Sequence, residues 1–252
     1  MKLDIVSFNI RCCDDVDGNS INERAPRLNK VISAYNSDII CLQEYRPAWE
    51  KYIEGYFLEK YDMFSKYRNN TTDIEASPIL WRKDKFECLK TGYFWLSDTP
   101  EVESRGWDEL FNCYRMCIYA VLKEKQSGET FTVMNTHFGF GDNCQVDSAK
   151  LIYEYSKNIS NHKTFITGDF NMCPDSLGYK EMTKLFNDVN ALTAKNLSTT
   201  YHGYKPNEIN DQHIDYCFID KDITPINQKI ITETVDGKFP SDHYGLFIEL
   251  DI

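Results

Sequence analysis

The run Thr164-Phe165-Ile166-Thr167 is apolar and β-branched, and it stops abruptly at Gly168-Asp169-Phe170-Asn171. Such a run predicts a strand that delivers polar side chains to an edge. Gly168 lets the backbone turn sharply and leaves room beside it, so Asp169 and Asn171 project from the end of a rigid element, alternate residues on one side. Asx residues after a strand also serve as plain turn formers. Taken alone, the segment fits both readings. Other runs in the chain end on the same kind of polar residue, and that recurrence constrains the fold more than any single motif.

In chain order, Lys2 to Asn9 reads as a buried strand with Asn9 near its end. Arg11 to Asn22 carries Asp14, Asp15, Asp17 and Gly18, but it lacks the far glutamate of a calcium loop and reads as a solvated loop. Leu28, Val31, Ile32 and Tyr35 sit at helical spacing within a helix expected over 25–35, and a strand over 38–42 ends at Gln43-Glu44. Trp49, Tyr52, Ile53, Tyr56 and Phe57 mark a second amphipathic helix whose aromatic stripe belongs to the core. Ile79-Leu80-Trp81 and 86–89 read as short strands paired around Lys83-Asp84-Lys85. From Gly92 to Arg115 the pattern breaks into a long loop, with Trp95 assigned to packing and Trp107 left open between packing and a substrate rim. A hairpin follows, 116–122 with 130–135, its second strand ending in Thr136-His137. Val146, Ala149, Ile152, Tyr153 and Ile159 predict a helix, and another is expected over about 179–186. Further strands are expected over 214–219, 229–234 and 245–250, the last preceded by Ser241-Asp242-His243.

These elements predict a strand-rich α/β domain in which two sheets pack together and helices cover the outside. The 252 residues contain nothing that reads as a linker, so one domain spanning 1–252 is expected. No apolar stretch reaches membrane-spanning length and the first residues lack the apolar core of an export signal, so a cytoplasmic protein with no membrane partner is expected. The nine cysteines are odd in number and scattered, several inside apolar runs (Cys41, Cys117, Cys217), which fits reduced thiols better than disulfides or zinc. The sequence does not specify an oligomeric state.

Charge narrows the partners. The 28 Lys and Arg residues face 39 Asp and Glu, for a net charge of −11. Affinity for long nucleic acids comes mainly from basic side chains on phosphates, so this balance disfavours a polyanion-gripping surface. A divalent cation held by carboxylates can still reverse the sign locally.

Six strand endings, Asn9 after Ser7-Phe8, Gln43-Glu44, Asn135-Thr136-His137, Gly168-Asp169-Phe170-Asn171, Ile214-Asp215-Tyr216 and Ser241-Asp242-His243, resemble in order those of the endonuclease/exonuclease/phosphatase superfamily, which includes DNase I. The resemblance runs from residue 9 to residue 243. It implies a DNase I-like, four-layered α/β/β/α sandwich and Mg²⁺-dependent cleavage of a phosphate ester, with Mn²⁺ as the alternative ion. Glu44 and Asn9 are similar to the family's metal pair, and Asp242 resembles the residue that sits near the metal. Asp169 resembles the base that deprotonates water, with Asn171 steadying water or a phosphoryl oxygen. His243 resembles the essential histidine and Asp215 the carboxylate on its other nitrogen, a pairing that favours the protonated ring. His137 resembles a histidine that faces the phosphate in the DNase I and sphingomyelinase branches, where abasic-site endonucleases carry tyrosine, and Glu75 its carboxylate partner. Arg115 matches an arginine that grips substrate. A surface glutamate and a turn residue are the plain alternatives for Glu44 and Asn9, and a solvated loop glutamate for Glu75. His162, His202 and His213 are assigned structural roles.

The function expected is a metal-dependent phosphoesterase acting on a small or medium phosphodiester or phosphomonoester. A nuclease cutting DNA or RNA is the alternative enzyme. A catalytically silent binding protein is the alternative from another class, disfavoured because every motif residue is in place.

Overall fold

In β1 (Lys2–Asn9) successive side chains enter two different cores: Leu3 and Ile5 join one, Val6 and Phe8 the other. A strand buried on both faces lies between two packed layers, and this arrangement recurs through the chain. The computed structural model describes residues 1–71 and 74–252. After β1 come α1 (Ile21–Tyr35), β2 (Ile39–Gln43), α2 (Pro47–Phe57), β3 (Tyr61–Phe64), β4 (Ile79–Arg82), β5 (Phe86–Trp95), β6 (Met116–Glu124) and β7 (Thr130–His137). Then follow α3 (Asp142–Ile159), β8 (Lys163–Asp169), α4 (Leu177–Leu185), β9 (Asn187–Asp188), α5 (Val189–Leu192), β10 (Asp215–Ile219), β11 (Thr224–Ile231) and β12 (Gly245–Asp251).

Two six-stranded sheets result, ordered β11-β12-β1-β2-β4-β3 and β5-β6-β7-β8-β10-β9. Each has a parallel pair near its centre, β1 with β2 and β7 with β8, and antiparallel neighbours around it. Leu3, Ile5, Ile39 and Leu246 from one sheet meet Ile118, Val133, Phe165 and Cys217 from the other in the core between the sheets. On the outer face of the first sheet, Phe8, Ile40 and Leu42 pack on Leu28 and Ile32 of α1 and on Trp49 and Ile53 of α2. On the outer face of the second, Met134, Ile166 and Phe170 pack on Ala149 and Ile152 of α3 and Met182 of α4. The expected α/β/β/α sandwich is therefore the fold. Among the described residues no helix is long and apolar enough to cross a membrane.

Four local expectations are corrected. The strands flanking residues 83–85 do not pair: β4 joins β2 and β3, whereas β5 joins β6 in the other sheet. The short link carries the chain across the sandwich, and Trp81 and Phe86 at its two ends both enter the core between the sheets. Gly92 is not a loop signal, because β5 continues to Trp95 and an added Cβ at Gly92 would lie 2.3 Å from the Tyr119 hydroxyl of the paired strand. β11 begins at Thr224 and stops at Ile231, an edge strand whose exposed residues, Pro225 and adjacent bulge blur its period. α1 begins at Ile21, where Glu23 accepts the Ser20 N–H, so a polar first turn precedes the apolar stripe. The short β3, β9 and α5 lack a sequence pattern of their own.

Candidate active site

The parallel pairs set β1, β2, β7 and β8 ending at the same edge of the sandwich. Asn9 pairs with Gln43, His137 with Asp169, and Asp215, at the start of antiparallel β10, with Asp169. Ser241 Oγ donates to the Asn9 carbonyl at 2.7 Å, which brings Asp242 and His243 to the end of β1. After three of these strands the chain enters the left-handed region at non-glycine residues: Arg11 (φ 61°), Glu44 (φ 62°) and Asn171 (φ 49°). Such conformations cost of order 1 kcal/mol or more each and persist where the surrounding structure fixes them. Here buried Arg24 does part of that work, donating to the carbonyls of Ile10, Arg11 and Cys13.

Asp169 lies at the centre. Its Oδ2 accepts from Asn9 Nδ2 at 2.9 Å and its Oδ1 from the Asn171 N–H at 2.9 Å. His137 Nε2 stands 3.6 Å from Oδ2 on one side and His243 Nε2 3.7 Å on the other. Each histidine has a carboxylate behind it: Glu75 Oε1 is 3.3 Å from His137 Nδ1, and Asp215 Oδ2 is 3.0 Å from His243 Nδ1. The result is a buried row in which carboxylates and imidazoles alternate, Glu75, His137, Asp169, His243 and Asp215. The gaps from Asp169 to the two rings, 3.6 and 3.7 Å, are too long for hydrogen bonds and too short for an oxygen to lie between the atoms, but a water or phosphate oxygen seated beside them can contact both.

Electrostatics follows from this crowding. Burial and the neighbouring Asp215 push Asp169 above the usual carboxylate range, against the pull of both histidines and the Asn171 N–H. Burial opposes charge on His243, but Asp215, then Asp169 and Asp242, outweigh it and raise the imidazolium to about 10. Burial also opposes charge on Glu75, yet Arg68 at 2.8 Å and His137 hold it well below its ordinary value. Glu44 is lowered in spite of burial and Glu75, because His137, His243 and the Cys12 N–H favour its charge. Asp242 is raised, chiefly by burial.

The three residues expected to hold metal surround the same point differently. Glu44 Oε2 accepts the Cys12 N–H at 2.7 Å and Oε1 accepts Asn9 Nδ2 at 3.1 Å. The Asn9 amide thus turns its nitrogen to Glu44 and Asp169, while its Oδ1 takes the Arg11 N–H at 3.0 Å; to act as a ligand the amide must flip. Asp242 Oδ2 faces Arg11 Nε at 3.6 Å. Ligand atoms of Cys12, Glu44 and Glu75 lie within 4.8 Å of one another, as do those of Asp169, Asp215 and His243. Glu44, Glu75 and Asp242 all line the cleft and are oxygen donors of the kind a divalent cation takes, with the Cys12 thiol beside Glu44 and Glu75.

Glu44, Glu75, His137, Asp169, Asp242 and His243 form the floor of a cleft of about 600 Å³, which Asn171 and Arg115 also line, whereas Asn9 and Asp215 are buried and do not line it. Asn171 Nδ2 donates to the Phe138 carbonyl. Arg115 is committed through Nε and Nη2, both 3.1 Å from Asp108 Oδ2. Trp95 is buried with its Nε1 on the Arg68 carbonyl, and Trp107 donates to Asp98 away from the cleft residues. His202 and His213 are buried and His162 is exposed, none of them lining the cleft.

Sequence reasoning missed Arg11, Arg68, Phe111, Phe140 and Tyr201, all of which line the cleft. Tyr201 packs edge-on to His243 with ring centroids 5.0 Å apart. It also missed a polar network beneath the floor: Gln43 Nε2 donates to Asn135 Oδ1 at 2.8 Å, and Asn135 Nδ2 donates to the Leu42, Ser77 and Pro78 carbonyls. That network ties β7 of one sheet to the end of β2 in the other. A signal existed, since Gln43 and Asn135 belong to the motifs that carry Glu44 and His137. Arg68 and Phe111, on irregular segments, had none.

Residues 129–243 match the model of the Endonuclease/Exonuclease/phosphatase family. Among solved structures the chain is similar to a protein of that family from Bacteroides thetaiotaomicron, with TM-score 0.91 and 28% identity over 100% of this chain and 99% of that one. It is similar also to a mannosyl-6-phosphatase of the same organism, with TM-score 0.90 and 27% identity over 99% of this chain and 100% of that one. A curated relative is the CCR4-Not complex 3'-5'-exoribonuclease subunit Ccr4 of Candida albicans, 23% identical over 61% of this chain but only 24% of that protein's length.

Proposed function

We propose that the protein is a phosphate ester hydrolase of the kind its match to the Endonuclease/Exonuclease/phosphatase family suggests, and that its substrates are compact phosphate monoesters or diesters, cleaved with Mg²⁺, or Mn²⁺ in its place. The observation that carries this reading is the row of alternating carboxylates and imidazoles centred on Asp169 at the bottom of a cleft of about 600 Å³. Asp169, raised by burial and by Asp215, is suited to take a proton from water. The water oxygen attacks phosphorus as the bond to the leaving oxygen breaks, and that oxygen departs opposite the attack, taking a proton from solvent to leave as the alcohol. His243, kept protonated by Asp215, donates toward a phosphoryl oxygen where negative charge builds, and His137 faces the same space from the other side of Asp169. Asn171, with its amide nitrogen on the Phe138 carbonyl, offers Oδ1 to orient the water. Glu44 and Asp242, with Asn9 after an amide flip, would hold the divalent cation, which when bound supplies the positive charge that offsets the phosphate.

The cleft volume of about 600 Å³ and the net charge of −11 support a compact substrate over a long polyanion. So does the likeness to a mannosyl-6-phosphatase over nearly the whole of both chains. Buried thiols at Cys41, Cys117 and Cys217 support a reducing, cytoplasmic setting. RNA hydrolysis is the second reading, favoured by the similarity to Ccr4. The test is turnover of bis-p-nitrophenyl phosphate, sugar phosphates and RNA before chelation, after exhaustive chelation, and after Mg²⁺ or Mn²⁺ is restored. Turnover that survives chelation contradicts the metal requirement, and turnover of RNA alone selects the second reading.

A further inference from the structure

We propose that Phe111, seated on Phe140 at the mouth of the cleft, is the platform against which the leaving alcohol of the substrate stacks, and that this alcohol is a hexopyranose. The inference rests on the compact-ester reading above. Phe111 is 58% exposed, yet its position is fixed. Its ring meets Phe140 edge-on, with centroids 5.2 Å apart and planes at 76°, and both rings line the same cleft as Asp169 and His243. The two segments that carry the rings are tied together, the Glu109 N–H donating to the Phe140 carbonyl at 3.0 Å.

One carboxylate sets this arrangement. Asp108, its side chain fully buried, accepts the N–H groups of Leu110 and Phe111 through Oδ1 at 3.0 and 2.9 Å. Through Oδ2 it holds Arg115, whose guanidinium lies over the Phe140 ring at 5.9 Å. Gly139 leaves no space behind it, since a Cβ there would come within 2.9 Å of Asp108 Cβ. Asp108 therefore fixes the position of Arg115 relative to Phe111, and both line the cleft that holds Asp169 and His243.

A pyranose fits that pairing. It presents a face of C–H groups to an aromatic ring while its rim of hydroxyls remains to be hydrogen-bonded. Glu109, exposed beside the platform with its carboxylate against Gly141, is an acceptor for such hydroxyls and repels a second phosphate.

The experiment compares kcat/KM for mannose 6-phosphate, glycerol 1-phosphate and adenosine 5'-monophosphate in the Mg²⁺-loaded parent, in Phe111→Ala and in Phe111→Tyr. The parent is expected to prefer the hexose phosphate. Phe111→Ala is expected to lower the ratio of hexose phosphate to glycerol phosphate by roughly ten-fold, the upper end for a single ring contact, mainly through KM, and Phe111→Tyr to restore it. The proposal is overturned if Phe111→Ala lowers both substrates equally, or if the parent favours glycerol phosphate or the nucleotide over the hexose ester. Failure of the parent to hydrolyse any phosphate ester would remove the compact-ester reading itself, and this inference with it; turnover with an unchanged ratio removes the platform alone.

Discussion

Replacing Asp215 with Asn tests the charge on His243. The carboxylate sits 3.0 Å from His243 Nδ1, and an asparagine keeps the shape but not the charge. In the intact protein, burial alone would lower the imidazolium from its ordinary 6.5, and Asp215 leads the groups that instead raise it to about 10. The difference corresponds to roughly 5 kcal/mol in favour of the charged ring. With Asp215 neutralised, burial remains while the leading counter-charge is gone, so the ring returns to the neighbourhood of its ordinary value. If it titrates near 6.5, only about 3% of the molecules carry the imidazolium at pH 8, and a step that needs the charge slows about thirty-fold. The sign is fixed: a raised histidine is charged below its folded pKa and loses that charge as pH rises through it. The variant should therefore approach the parent as pH falls toward 6 and fall further behind as it rises. The assay is the variant-to-parent ratio of kcat on a small phosphate ester from pH 6 to 9 at saturating Mg²⁺. A ratio that stays constant across that range refutes a charge role for the pair.

Asp169→Asn should reduce kcat by roughly two to four orders of magnitude, the worth of a positioned base, with the thermal midpoint nearly unchanged; a variant within a few-fold of the parent removes Asp169 from the chemistry. Glu44→Ala should lose activity chiefly by weakening the cation, so a titration to high Mg²⁺ should recover part of the rate, and no recovery with the fold intact counts against a ligand role. Gly168→Ala should destabilise the fold by about 1–3 kcal/mol in urea unfolding, because its Cβ would lie 2.3 Å from the Thr136 carbonyl oxygen of the paired strand; a midpoint equal to the parent's would show that β7 and β8 yield there.

The residues that the sequence placed at strand ends are those that the fold brings to one edge, and the reason is local. An apolar run that stops on a polar residue announces both the strand and its terminus, so Asn9, Glu44, His137 and Asp169 were legible before their spatial relation was. The relation itself comes from the parallel pairing of β1 with β2 and β7 with β8, which no local pattern encodes. Residues 83–85 show the limit from another side. The same short polar link suits a hairpin or a crossing between sheets, and only the two packed cores decide. Asn9 was legible as a site residue, but not the direction of its amide, which follows from the Arg11 N–H that its Oδ1 accepts. Arg68 and Phe111 were illegible because irregular segments place them, Arg68 through the buried Trp95 on its carbonyl and Phe111 through Asp108.

The central claim is that the site serves compact phosphate esters, and it is tested most directly by kcat/KM for plasmid nicking against that for small phosphate esters, at matched Mg²⁺ and about 0.15 M salt, where screening confines the reach of a bound cation to roughly 8 Å. Higher efficiency is expected on the small esters. Plasmid cleavage that is the more efficient by a wide margin would contradict it and make the protein a nuclease.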